Sequence, residues 1–405
     1  MSEATTMTTT AAVPMRQNLH PAIDRIQVPA LIAGVGGCAL LGLGFLTARE
    51  EFFRSYLFAY MFWIGIPLGS AGLLMLQHLT GGAWGLSLRR LFEGATRTIP
   101  LMVLLFIPIA VGVPDLYVWV HQGHAELHGK EIYLNTTGWL IRAAICFAIW
   151  IVLAFLLNHW SLAQDRTGSP TALRRLQMMS GPGIMLYVLT VTFATVDWVM
   201  SIDPHWVSTM YSLIFIAGQI LGALALMIVM LAFLSRRPPL SHYITRDHFQ
   251  DLGNLLLAFT MFWAYVSFSQ FIIMWSGNIA EEVPYYLIRT DGFLRSVALI
   301  IVIFHFFVPF VLLLSRKTKR SVRTLTTVAG MIVVLRLVDI FWIVKPTFAQ
   351  AHHAAKEHGW TLHWLDFVAP VAIGGIWMFV FIWQLRRRPL MPLHDHRLGE
   401  VDRHG

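Results

Sequence analysis

Two aspartates stand inside apolar runs, where an ionised carboxylate is expensive: Asp197, within Thr195-Val196-Asp197-Trp198, and Asp339, three residues after Arg336. A charged group inside a membrane bundle costs roughly 2.5–3.5 kcal/mol on insertion scales, so each must be paired, protonated or reached by water. Such an acid can relay a proton. Histidine exchanges protons near neutral pH, and His305 among Phe304, Phe306 and Phe307, with His159 after Asn158, places one titratable ring in each half. Asp197 and Asp339 are therefore candidate outer stations of a proton path, and His159 and His305 candidate inner ones. A structural ion pair with Arg336 on the same helical face competes for Asp339. Asp197 has no basic residue within a turn of its own segment. For either histidine, donation to a backbone carbonyl is an equally good reading. Thr260, Trp263, Ser267 and Gln270 recur at three- and four-residue steps and share a helix face, which suits a wet channel or polar joints between helices.

The elements that must position these groups are membrane helices. With 56% hydrophobic and only 13% charged residues, and apolar runs of about twenty residues, each run can cross a bilayer core of roughly 30 Å. The fold class is all-α and polytopic, with spans near 28–47, 55–77, 99–120, 138–160, 183–201, 208–234, 252–275, 292–315, 325–344 and 364–385. No span is plainly broken by Gly or Pro near its middle, which disfavours a secondary transporter. The chain also writes one bundle twice. Tyr133-Leu134, Thr136, Gly138-Trp139-Leu140 and Arg142 return as Tyr286-Leu287, Thr290, Gly292-Phe293-Leu294 and Arg295, about 154 residues later. Leu68-Gly69 returns as Leu221-Gly222, and Val196-Asp197 with Pro204 as Val338-Asp339 with Pro346. Four helices separate equivalent positions, so the repeats run parallel. The reading is two four-helix bundles, 55–201 and 208–344, with a peripheral helix in 28–54, an outer loop and tenth helix in 345–385, and polar ends at 1–27 and 386–405.

Charge sets the orientation. About 21 of the Lys and Arg fall in alternate loops and the ends, Arg89, Arg90, Arg97 and Arg386-Arg387-Arg388 among them, and about 6 in the other loops, Arg289 and Lys345 among them, so both termini are expected in the cytoplasm. The net charge of +8 is a topology signal that also suits anionic lipid headgroups; a nucleic-acid surface would need a basic soluble face. No small-residue cleavage site follows the first span, so an uncleaved N-terminus is expected.

Cys38 and Cys146 form no haem-attachment or iron–sulfur run, and no facing His pair offers axial ligands to a haem. The loop histidines His121, His124, His128, His352, His353, His358 and His363 lack the Cys or carboxylate set of a metal site, so no metal is assigned.

Asp197-Trp198-Val199-Met200-Ser201-Ile202-Asp203-Pro204-His205-Trp206 with Ser208-Thr209, Asp251-Leu252-Gly253-Asn254-Leu255-Leu256, Tyr265, Ser267-Phe268-Ser269-Gln270-Phe271, and Trp275-Ser276-Gly277-Asn278 with Glu281-Glu282 closely resemble the ActF family. These are the smaller of two related NrfD/PsrC-like membrane subunits of bacterial alternative complex III, and the resemblance covers spans two to ten. It implies an inner-membrane respiratory complex that oxidises quinol and passes electrons through an iron–sulfur subunit to c-type cytochromes and on to a cytochrome c or a terminal oxidase. It implies partners: a larger NrfD-like subunit, the iron–sulfur subunit and the cytochromes, which would hold all the haems and clusters. The smaller subunit is expected to anchor the complex and carry a proton path. A direct quinone-binding role is the alternative, with an aromatic rim of Trp198, Trp206 and Trp275 and hydrogen bonds from His205 or Asn278. A stand-alone transporter and a purely structural anchor are the readings from other classes.

Overall fold

The computed structural model describes residues 20–121, 129–236, 240–351 and 362–390. The described residues form helices and contain no strand. Among the described residues nine helices are long and apolar enough to cross a membrane, and two shorter ones that meet at a 42° bend are so when taken together. In chain order they are α1 (His20–Thr47), α2 (Arg49–Thr80), the bent pair α3 (Ala83–Thr96) and α4 (Ile99–Val111), α5 (Thr136–Thr167), α6 (Pro170–Trp198), α7 (Tyr211–Leu234), α8 (Arg246–Gly277), α9 (Gly292–Leu314), α10 (Val322–Ala351) and α11 (Leu365–Arg386).

The centre of the molecule is the crossing of α2 and α7, the helices that open the two repeats and the ones most enclosed by their neighbours. Lipid tails are as apolar as leucine, so helices in a bilayer associate through close packing, and small residues permit it. Gly65 and Gly69 of α2 meet Gln219 of α7, and a Cβ on Gly69 would stand 2.1 Å from the Gln219 carbonyl oxygen. The recurring Leu-Gly pair thus marks the seam between the halves. Around it α5 packs on α6, α7 packs on α8 and α10, and α10 also reaches α2. Outside the repeats α1 lies along α11, where Gly34 and Gly37 admit Gly375 and Ala372.

Three features depart from the sequence reading. A helix, α3, precedes residue 99, and its Arg89 and Arg90, expected in a loop, are buried and paired with Glu93. α3 and α4 meet at a 42° bend, at Arg97-Thr98. Pro100 has no N–H to continue the ladder to the Thr96 carbonyl. Within α9, residues Ile301–Phe307 form a π-helical turn around His305, and Pro309 likewise withholds an N–H from the His305 carbonyl. Finally α10 runs on to Ala351, so Lys345 and Pro346 belong to a helix. Lys345 can be buried there because Asp366 (2.6 Å), Glu51 (2.8 Å) and the Ser55 hydroxyl (2.9 Å) receive its ammonium.

Candidate functional site

Each half holds a buried arginine–carboxylate pair, but the two are built differently. In the first half Asp197 is the penultimate residue of α6, and its partner comes from α5. Arg142 donates from Nε to Oδ2 at 2.7 Å and from Nη2 to Oδ1 at 3.0 Å, a two-point clasp that fixes the carboxylate plane as well as its charge. The same guanidinium donates to the Tyr133 carbonyl and lies 3.9 Å from the centre of the Tyr133 ring. The Tyr133 hydroxyl faces Asp197 without closing a full hydrogen bond. Burial first, then Asp197, pushes the Tyr133 phenol above its ordinary range, so it stays protonated as a donor. Trp139 Nε1 donates to the Asp197 carbonyl, and the Tyr117 hydroxyl donates to that of Trp198. Asp197 therefore lacks a partner only within its own helix.

In the second half the pair is interior. Arg336 and Asp339 are 2% and 3% exposed, and Arg336 Nη1 donates to Asp339 Oδ2 within one turn of α10. Asp339 lies twelve residues before Ala351, about 18 Å from that helix end, whereas Asp197 is at an end. The two acids, equivalent by repeat, thus sit at different depths. His305, fully buried on the π turn, stacks on Trp263 of α8 with ring centres 4.2 Å apart and planes at 10°. Trp263 Nε1 faces Asp339, and the Leu335 backbone and Arg336 lie beside His305, though neither imidazole nitrogen closes a full hydrogen bond. The extra residue of a π turn re-aims side chains, and here it places the ring in this layer. The structure therefore brings His305, Arg336 and Asp339 together, side by side rather than as inner and outer stations.

Beside them, Arg336, Gly218, Gln219 and Gly65 line a cavity of about 10 Å³ at the α2–α7 seam, at the lower limit for a single water, roughly 10–15 Å³. A Cβ on Gly218 would stand 2.0 Å from the Arg336 guanidinium carbon, so only glycine lets the arginine lie against α7. Nε and Nη2 of Arg336 have no partner, and the Gln219 amide oxygen accepts from the Tyr187 hydroxyl of α6 at 3.1 Å. Polar groups thus reach from the Arg336 layer into the first half.

The shared face on α8 is inward. Thr260, Trp263 and Gln270 are buried and Ser267 is half-buried. Gln270 accepts from Ser208 at 3.0 Å and approaches the Tyr286 hydroxyl at 3.4 Å. The stripe therefore runs from the end of the bundle that carries Lys345 inward toward Asp339.

His159 is elsewhere. It is exposed, its ring centre 5.9 Å from Phe155 and 5.2 Å from Trp160, and it lies seventeen residues along α5 from Arg142, about 25 Å away. Its neighbour Asn158 is the buried one, bonded to Thr96 and Arg388. The rim residues are also dispersed. Trp198 packs between Phe106 and Phe147, Trp206 stacks 4.3 Å from Tyr285, and Trp275 is exposed beside Phe271. No ring contact among the described residues joins any two of the three tryptophans. His205 is exposed, and Asn278 caps α8 in the left-handed conformation at φ 47°.

Two features escaped the sequence. Arg289, read as a loop charge, is fully buried 3.5 Å over Tyr285 and donates to Ile343 and Trp342 carbonyls and to Thr347. It repeats the Arg142–Tyr133 stack, while Arg295, the counterpart by sequence, is exposed. The other is the ionic cluster at the Arg-rich end, where Arg89 and Arg90 bind Glu93, Arg90 also binds Asp165, and Ser161 and Gln164 complete the contacts. Its only signal is the three- and four-residue spacing to Glu93.

Among the described residues no group of three or more His, Cys, Asp or Glu could hold a metal ion; His124, His128, His352, His353 and His358 lie outside them. No protein-family model matches the chain, and no curated protein matches it.

Proposed function

We propose that this chain is a membrane subunit of a quinol-oxidising respiratory complex of the alternative-complex-III kind, anchoring the complex and conducting protons. The observation that carries the proton path is the layer of Arg336, Asp339 and His305, all buried within apolar helices. An anchor gains nothing from groups so costly to insert, and ionisable residues at such depth commonly serve ion pathways. Gln270 and Ser267 lead toward that layer from one end of the bundle, and Gln219 with Tyr187 leads from it into the other half. His305 has the chemistry of a relay, accepting a proton on one nitrogen and releasing it from the other. Arg336 would hold Asp339 charged until a proton arrives. Asp197 with Arg142 would form a second station near the opposite half's end. The family assignment rests on the sequence runs around Asp197, Asp251, Gln270 and Asn278, and with it come the inner membrane and partners that hold the haems and clusters; the cytoplasmic termini rest on the uneven spread of Lys and Arg between alternate loops.

The direct quinone-binding reading has less support, because Trp198, Trp206 and Trp275 each pack against a different set of rings and no ring contact among the described residues joins them.

The test is to tag the chain in its native cells and purify it under mild detergent. An iron–sulfur protein, c-type cytochromes and a second membrane subunit should accompany it, with quinol-dependent cytochrome reduction. A chain that purifies alone and colourless, with no such activity in its membranes, defeats the proposal. Unchanged proton stoichiometry in His305→Phe, in an intact active complex, removes the proton path.

A further inference from the structure

The bend between α3 and α4 places Arg97 at the foot of an exposed apolar stripe. Pro100, Leu104, Ile107 and Val111 follow at steps of three and four residues, and all are exposed, so they form one face of α4. Arg97 is half-buried and donates Nε to the Glu93 carbonyl at 3.2 Å. Among the described residues no carboxylate pairs with it. Glu93 and Asp165 are already engaged by Arg89 and Arg90, while Arg388, Arg387 and Arg90 all act on Arg97 as like charges.

Arg388 approaches Glu93 only at 3.9 Å and bonds the Asn158 side chain at 3.2 Å. Burial first, and then Arg90 and Arg166 against the opposing pull of Glu93 and Asp165, depress its guanidinium below the ordinary value. A guanidinium does not release its proton in a protein, so an added anion would offset this charge. Arg89, Arg90, Arg97 and Arg388 gather here around Glu93, with Asp165 the second carboxylate, and Arg387 and Arg166 add like charge from nearby. Basic pockets between membrane helices are suited to lipid phosphates.

We infer that Arg97 and Arg388 bind the phosphate of an anionic phospholipid whose acyl chain lies along Leu104, Ile107 and Val111. The charge calls for an anion, and the stripe rising from Arg97 calls for a hydrocarbon chain attached to it. A soluble phosphate would satisfy the first requirement alone. The carboxylates beyond residue 390 could satisfy it too.

The experiment uses the full-length chain in a neutral detergent, titrated with phosphatidylglycerol, phosphatidylcholine or sodium phosphate, and reads lipid retained by native mass spectrometry together with the melting midpoint. Phosphatidylglycerol should be retained and should raise the midpoint; phosphatidylcholine and sodium phosphate should do so far less. Arg97→Gln should weaken phosphatidylglycerol binding about fivefold, and Arg97→Gln with Arg388→Gln about twenty-five-fold, following the contribution of one arginine near a lipid surface. Arg323→Gln, an exposed arginine on α10, should leave it unchanged. Because Arg388 also bonds Asn158, the single Arg97 variant carries the test if the double variant does not fold. Equal retention by wild type and Arg97→Gln overturns the site. An equal response to sodium phosphate overturns the lipid as its source. A chain ending at Leu390 that binds phosphatidylglycerol tenfold tighter overturns it as well, since the tail would then be the occupant.

Discussion

Arg142 on α5 clasps Asp197 on α6 through two hydrogen bonds of 2.7 and 3.0 Å while lying over the Tyr133 ring. The carboxylate side chain is 2% exposed and the arginine 21%, so the cation keeps a route to water that the anion lacks. Breaking the pair from either side is therefore unequal. In Asp197→Asn the arginine retains the Tyr133 contacts and some hydration, and the expected loss is about 1–3 kcal/mol. In Arg142→Leu the stranded acid should cost about 3–5 kcal/mol. Melting midpoints of the two variants in one detergent compare them directly, and an equal or reversed order would show that the pair is not the organising contact.

For Arg336 and Asp339 both partners are interior, so the asymmetry disappears. Asp339→Asn and Arg336→Leu should each cost about 3–5 kcal/mol, and the double change to Leu should recover most of it, because paired charges of similar volume can often be replaced without loss. Yield of folded protein by size-exclusion chromatography measures this. Recovery of folding without recovery of proton-linked turnover would separate the structural part of the pair from the transport part.

The α2–α7 crossing predicts a steric outcome. Gly69→Val places a Cβ 2.1 Å from the Gln219 carbonyl oxygen, and backbone cannot yield as a side chain does. The variant should lose folded yield severalfold, while Gly36→Val, where nothing lies within 4 Å, should express normally. Parallel fluorescence-detected chromatography of the two decides it.

Alkaline stability gives a signed prediction. Burial, with Asp197 nearby, raises the Tyr117 phenol well above its ordinary value of 10.0. The folded state thus prefers the protonated form, so this contribution is complete below pH 10 and is lost as pH rises past it. Tyr117→Phe should cost about 1 kcal/mol at neutral pH through the lost bond to the Trp198 carbonyl, yet melt with a shallower alkaline decline than wild type. Parallel curves from pH 8 to 11 would remove Tyr117 from the explanation.

Orientation is tested by labelling. In a background lacking Cys38 and Cys146, Ile132→Cys, at a position 90% exposed, should react with an impermeant maleimide in spheroplasts, and Thr318→Cys should not. The reverse pattern would invert the assignment of both bundle ends.

The sequence by itself determined the helical membrane class, because run length and apolarity suffice to make a helix that can cross a bilayer. It also marked Asp197, Asp339, Arg336 and His305 through their cost in such runs. The small residues of the seam were visible in the repeated Leu-Gly pair. The Arg336–Asp339 pair was legible from its spacing, but the partner of Asp197 was decided only by tertiary structure. An arginine 55 residues from Asp197 along the chain has no local spacing to betray it, and Arg289 was taken for a loop charge because charge alone does not say whether a ring and four carbonyl or hydroxyl oxygens await it. Arg89 and Arg90 were misread for the same reason. Depth was undetermined too, since repeat position equates Asp197 with Asp339 while helix length separates them. The π turn at His305 depends on Pro309 and on packing against Trp263, so the side-by-side layer of His305 and Asp339 exists only in the folded bundle.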